Sequence, residues 1–247
     1  MAVALDQNLG QTGEHTNVTS GTTIVSSLAL SATTDGCLVV VTNTEDFSNP
    51  SNLVTGVSHN GNALTKAAEA ASASNRNVTT VWYLLLGNSG DTGDLDVQTD
   101  GTITGLECGH LVLSGVHQTD PEGVTGTDSQ TSATSNSITI SGDTTDSMVV
   151  NGWVTGDTNP SSESWDNSET SVYTDTDTPP STGMCSGTSV KATNDGLTYG
   201  LSWTGSTNRA VMVTQEFLPA AAGGATDWKF TAAARRANPP ILGIGRA

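Results

Sequence analysis

The feature that most constrains the fold is the alternation of apolar and polar residues at every second position. From Leu197 to Trp203, every odd-numbered residue is large and apolar, and the residues between are Thr, Gly and Ser. A strand places such alternating side chains on opposite faces. Ile138 and Ile140 continue the pattern between Ser and Thr residues. The period of two is typical of half-buried antiparallel strands, not of amphipathic helices.

A second class of segment is apolar on both faces. Cys37–Val41 and Val81–Leu86 are the clearest examples, and Met148–Val154 and Ala210–Leu218 resemble them. We expect these to be central strands, covered on both sides by another sheet or by a neighbouring subunit. Counted together, the segments predict nine to eleven strands at the spacing of a sandwich.

Turn signals separate the strands. Asn60-Gly61 is the strongest short hairpin signal, and it lies between apolar residues. Only residues 64–73 have a helix-favouring composition, and without an apolar stripe they predict one or two helical turns or a loop. Residues 159–187 are mostly polar and predict a long loop, a kind of segment that is often functional.

The chain contains a weak internal echo. Thr33-Thr34-Asp35 followed by Leu38–Val40 recurs as Thr144-Thr145-Asp146 followed by Met148–Val150. One interpretation is a sandwich of two similar Greek-key halves. The other is independent use of the same turn chemistry in a Thr-rich chain.

Charge restricts the possible partners. The 247 residues carry a net charge of −17, with 25 acidic and 8 basic residues. A nucleic-acid binder that works through a basic surface is excluded, because phosphate contacts need Lys and Arg. No apolar stretch is long enough for a membrane span. The acid excess indicates a halophilic or marine source, or an ordinary acidic exterior protein.

The C-terminal segment 220–247 departs from these trends, and we call it the arm. It holds four basic residues and one acid, a net charge of +3, which leaves −20 for the rest of the chain. Large apolar side chains stabilise a structure only when buried. The arm therefore predicts docking on another subunit, with docking on its own body and disorder as the alternatives. The candidate partner-binding residues are Trp228, Lys229, Phe230, Arg235, Arg236, Ile241, Leu242, Ile244 and Arg246.

Few residues point to chemistry. No His pair has metal-ligand spacing and no Ser lies in a nucleophile elbow, so we predict no catalytic residues. Asp91, Asp94 and Asp96 are a weak candidate Ca²⁺ site, because Ca²⁺ prefers several carboxylate oxygens. Trp165 and Tyr173 are candidate glycan-binding aromatics if exposed.

A family likeness rests on turn and core motifs. The sequence is similar to jelly-roll-type β-sandwiches found in virion structural proteins of tailed phages and archaeal tailed viruses. The likeness covers residues 23–218 and implies a virion surface component, with no catalytic residues to carry over. The segments that carry it are Val57–Leu64, Val81–Leu85, Gly93–Thr99 and His110–Val116, with Gln118 and Pro121.

These observations predict an all-β, jelly-roll-like antiparallel β-sandwich over residues 1–219, of which 1–21 are a lead-in, with an extended arm over 220–247. The expected function is non-enzymatic: a capsid decoration or turret component on the exterior of a virion. Its expected partners are other virion proteins, above all the major capsid protein, and copies of itself in a trimer or pentamer. The alternatives are a carbohydrate- or receptor-binding module and a glycosidase with paired carboxylates.

Overall fold

The computed structural model describes residues 1–46, 53–73, 76–141, 144–156, 161–166, 168–175, 184–193, 198–207 and 209–221. The described residues form eighteen β-strands in four antiparallel sheets. The first ten strands make up the first half of the molecule. They are β1 (Ala4–Gln11), β2 (His15–Val18), β3 (Thr22–Leu30), β4 (Gly36–Glu45), β5 (Val54–His59), β6 (Asn62–Ala63), β7 (Thr65–Ala71), β8 (Asn77–Gly87), β9 (Asp91–Thr99) and β10 (Ile103–Ser114).

The other eight strands make up the second half. They are β11 (Glu122–Gln130), β12 (Ala133–Thr139), β13 (Met148–Gly156), β14 (Ser161–Trp165), β15 (Thr170–Asp175), β16 (Cys185–Ala192), β17 (Thr198–Thr207) and β18 (Arg209–Phe217).

The two halves share one strand order, to which the first half adds β2 and β6. In the first, the sheet β1-β10-β4-β8-β7, in which β2 also pairs with β10, faces the sheet β3-β9-β5-β6. In the second, β11-β18-β13-β16-β15 faces β12-β17-β14. Both have the strand order of a jelly roll, two Greek keys folded into a sandwich. The internal echo thus marks equivalent strands, because β4 and β13 are the central strands of their sheets, and Asp35 and Asp146 precede them with φ of 49° and 67°.

The sandwiches stack face to face in four layers. The sheet containing β4 packs against the sheet containing β13, and this contact is the inner interface. Side chains of β4 alternate between its two cores: Val39 and Val41 face the inner interface, and Leu38 and Val40 face the outer core of the first half. The prediction that such strands are covered on both sides is confirmed, and the cover is another sheet of the same chain.

The hairpin prediction is also confirmed. Asn60 and Gly61 join β5 to β6 with φ of 48° and 75°, the positive pair that a type I′ turn requires. The apolar side chains that alternate along β17 lie on one face as expected, and Tyr199, Leu201 and Trp203 are all buried.

Other expectations were wrong. There are eighteen strands among the described residues instead of nine to eleven, because Thr-, Ser- and Gly-rich strands such as β11 carry little apolar signal. Residues 65–71 form β7, not helix or loop. The polar stretch 159–187, expected to be a long loop, contains β14 and β15.

Within the predicted sandwich domain, the lead-in 1–21 contains β1 and β2.

Candidate functional site

Buried chemistry concentrates at one end of the inner interface, which we call the polar end. At the opposite end the two sheets meet through aliphatic side chains and Phe217. At the polar end, the facing side chains of both halves are polar or charged. Those of the first half, on β4, β8 and β10, are Asn43, Glu45, Asn77, Thr79 and Glu107, and those of the second half are Tyr173, Ser186, Thr188 and Arg209. The interface therefore changes from apolar to polar along its own strands.

Glu107 is the centre of the polar end. It lies on β10 with 1% of its surface exposed, and Ser186 of β16 donates a hydrogen bond to its Oε2. The Tyr173 hydroxyl lies 2.7 Å from Ser186 Oγ and accepts a 2.7 Å hydrogen bond from Asn43 Nδ2. Residues of both halves thus form one hydrogen-bonded chain.

The charge state of Glu107 is set by its surroundings. Burial raises its pKa to about 8, the Ser186 hydrogen bond opposes this, and the hydrogen bond and charge of Asp175 add to it. The charge of Glu14 raises the pKa further. A hydrogen bond between two carboxyl groups requires a proton on one of them. The raised pKa favours the protonated form of Glu107 at neutral pH.

An ion pair lies beside this network. Arg209 of β18 donates to Glu45 of β4 at 3.1 Å and to Asn77 Oδ1 at 2.7 Å. The Arg209 side chain is 14% exposed and that of Glu45 is fully buried. The pair therefore ties the two halves together at low dielectric, where losing one partner costs far more than at a surface.

Glycines let the two sheets approach closely. A Cβ atom on Gly109 would come within 2.5 Å of Thr188 Oγ1 and 2.7 Å of Tyr173 Cε1, and one on Gly152 within 2.5 Å of Val41 Cγ1. Such distances are below van der Waals contact, so a larger residue forces the sheets apart.

This arrangement joins the two halves through buried hydrogen bonds. Ser186, with a carboxylate and a tyrosine as partners, superficially resembles an activated nucleophile. It is fully buried between two sheets, where a substrate has no access. Glu107 and Asp175 touch each other instead of facing across a cleft, so this pair lacks the spacing of glycosidase carboxylates.

A second carboxylate with a shifted pKa, half-buried, lies against the outer core of the second half. Glu169 accepts hydrogen bonds from Asn151 Nδ2 at 3.0 Å, Ser189 Oγ at 2.5 Å and the Gly200 backbone at 2.6 Å. Burial raises its pKa to about 7, against the hydrogen bonds and the charge of Lys191. Its role is to cross-link β13, β16 and β17.

The root of the arm lies on the body at the start of the chain. Ala220 donates from its backbone to the Gly115 carbonyl at 2.7 Å and accepts from the N-terminal ammonium at 3.4 Å. Pro219 forms a bridge with Val116. The two ends of the described body thus meet at one point. The candidate arm residues Trp228, Lys229, Phe230, Arg235, Arg236, Ile241, Leu242, Ile244 and Arg246 lie outside the described residues.

The three candidate Ca²⁺ ligands point to different partners. Asp91 contacts His59 Nε2 at 3.7 Å and accepts from Asn60. Asp94 accepts from the backbone of Ser27, and Asp96 from Thr23. No group of three or more His, Cys, Asp or Glu side chains in the described ranges is placed to hold a metal ion. The alternation of Asp94 and Asp96 was a real signal, but Asp91 is on the side of the buried histidine.

The two candidate glycan-binding aromatics are not an exposed platform. Tyr173 is buried, with its hydroxyl in the polar-end network. Trp165 is half-buried and donates from Nε1 to Thr174 Oγ1 at 2.8 Å. The expectation that they are exposed came from the polar stretch around them, and it was wrong because that stretch forms strands of the sandwich.

Sequence reasoning missed the polar end, because Glu107 lies within an apolar strand and Asp175 in the presumed loop. A lone charged residue in a doubly buried strand was the available signal. Cys37, Cys108 and Cys185 are all buried free thiols. No helix in the described part of the chain is long and apolar enough to cross a membrane.

No protein-family model, curated protein or solved structure matches the chain.

Proposed function

We propose that this chain is a non-enzymatic structural protein of a virion, a decoration or turret component whose arm binds a neighbouring protein, in the first place the major capsid protein. The observation that carries the proposal is the fixed root of the arm at Pro219 and Ala220. A segment of 26 residues with an opposite charge and its own apolar side chains follows directly from this anchored point.

The charges of the body support separate roles for the body and the arm. Of the four basic residues outside the arm, Arg209 is paired with Glu45, Lys66 lies 3.1 Å from Glu69, and Lys191 is buried. They leave little positive charge to offset 24 acidic residues. The body repels other acidic surfaces, and the cationic arm is the part of the chain suited to attract one. The same acidic body suits an exterior, solvent-facing position and high salt.

The body itself supports a scaffold role. Three hydrophobic cores run through four layers, and a buried ion pair and hydrogen bonds join the two halves. Such a body holds its shape while the arm provides attachment. We extend the proposal to a symmetric trimer or pentamer on the shell.

Deleting residues 222–247 tests the proposal. We expect the truncated chain to keep its body and to lose incorporation into particles assembled with the capsid protein, measured as occupancy by quantitative mass spectrometry. A matched control replaces the arm by a Gly/Ser segment of equal length. Occupancy of either variant at the wild-type level would contradict the proposal. Native mass spectrometry of the full chain tests the oligomer separately.

A further inference from the structure

The polar end of the inner interface has a composition that folding alone does not require. The apolar end shows that these two sheets can meet through aliphatic side chains. The polar end instead buries Glu107, with 1% of its surface exposed, under the Ser186 hydroxyl of the second half, and Asp175 is the strand partner of Ser186. Burial of this kind favours the neutral form of a carboxyl group.

We propose that the inner interface is a proton-controlled latch: the proton held by buried Glu107 keeps the polar end closed, and its loss opens that end while the apolar end stays packed. The proposal concerns the body and is independent of the arm.

The surroundings of Glu107 give little help to its ionised form. Acidic groups approach it from two elements, Glu14 ahead of β2 and Asp175 on β15. The charge of Asp175 also raises the pKa of Glu163 on β14. Glu45 on β4 and Arg209 on β18 are paired with each other. The packed elements also carry His15 on β2, Cys37 on β4, Tyr173 on β15, Cys185 and Lys191 on β16, and Cys108 and His110 on β10 itself.

Those other groups do not release the latch first. Burial raises the pKa of Tyr173 well above its ordinary value, and burial likewise raises the pKa of Cys108 and Cys185. Burial lowers the pKa of His110, so it is neutral before the latch titrates. The pKa of Glu107, raised to about 8, places opening at mildly alkaline pH.

The close approach of the sheets makes opening local and measurable. Gly109, two residues from Glu107, lies against Thr188 and Tyr173. Ionised Glu107 places a charge where the sheets are closest, and β10, β15 and β16 carry the strain. At the far end of the same strands, Leu111, Leu113 and Val190 remain in the apolar part of the inner core.

The test is hydrogen exchange of the full chain by mass spectrometry at about pH 6.5 and pH 9.5, corrected for the intrinsic pH dependence of exchange. We expect peptides covering residues 104–109, 170–175 and 185–188 to exchange about tenfold faster at the higher pH, since that pH lies above the pKa of Glu107. Peptides covering 37–41 and 211–217 should keep their protection.

The variant Glu107→Gln keeps a hydrogen-bonding side chain that carries no charge, and it should remove the pH difference. The matched control Glu169→Gln removes the other strongly shifted carboxylate, away from the interface, and should leave the difference intact. If Glu107→Gln fails to fold, Asp175→Asn tests the same pair from the other half. Equal protection of the wild type at both pH values overturns the proposal, as does opening that persists in Glu107→Gln.

Discussion

The two halves share a strand order but fill their outer cores differently. The first half is filled mainly by aliphatic side chains, among them Ile24, Leu28 and Leu95. The second is built around Trp153 and Trp203, whose ring centroids are 5.3 Å apart. It also holds half-buried Glu169 and its partners. The same strand order is thus compatible with two kinds of interior, and among the described residues a strongly shifted carboxylate is found only at the second outer core.

The largest effect expected is from truncating the aromatic centre. Trp153→Ala should lower the free energy of unfolding by about 4–5 kcal/mol, the range for removing a buried aromatic side chain, and Leu95→Ala by about 2–4 kcal/mol. Because the inner interface joins the halves, both variants should still unfold in a single calorimetric transition. Two separate transitions in either variant would show that the halves are independent.

The second effect tests what joins the halves. Arg209→Ala leaves Glu45 buried without its cation and should cost about 3 kcal/mol. The control is Lys66→Ala, which removes the exposed pair with Glu69 and should cost less than about 1 kcal/mol. Chemical denaturation measures both. Similar losses in the two variants would mean that the buried pair contributes no more than a surface one.

Much of this architecture follows from the sequence alone. Strands with a strict period of two, such as β17, and doubly apolar strands, such as β4, are encoded by their own residues. Strands such as β14 are not: Ser161–Trp165 pairs with β17 through register set by the partner. The polar end was beyond prediction for the same reason, because Glu107 and Asp175 meet only after two separately formed sheets have packed.

The third prediction concerns how closely the halves approach. Gly152→Ala places a methyl group against Thr79 and Val41 and should cost about 1–3 kcal/mol through overpacking. Gly56→Ala on β5 is the matched control, since its nearest neighbours are flexible Gln98 atoms at 3.5 Å. The free energy of unfolding of Gly56→Ala should differ from that of the wild type by less than about 1 kcal/mol. If Gly152→Ala lowers the free energy of unfolding no more than the control does, the inner interface accommodates a methyl group that the structure leaves no space for.

The smallest effect expected is a change in pH dependence specific to the second half. Glu169 has a folded-state pKa raised to about 7 from its ordinary value of 4.5. Below the ordinary value both the folded and unfolded chains hold the proton. Between the two values only the folded chain holds it, so the stability contributed by this group falls as pH rises through the window and stays low above pH 7.

Glu169→Gln removes this dependence, because glutamine does not titrate and keeps one acceptor oxygen for Asn151, Ser189 or Gly200. The wild type should lose on the order of 1–2 kcal/mol more than the variant between about pH 5 and pH 8, a value below the full pKa shift because the site is partly exposed. Urea unfolding at both pH values measures the difference. The contribution of Glu107 is present in both proteins and cancels. If the free energy of unfolding of Glu169→Gln falls with pH as steeply as that of the wild type, the pH dependence arises at the inner interface and not at Glu169. The two outer cores would then not differ in this respect.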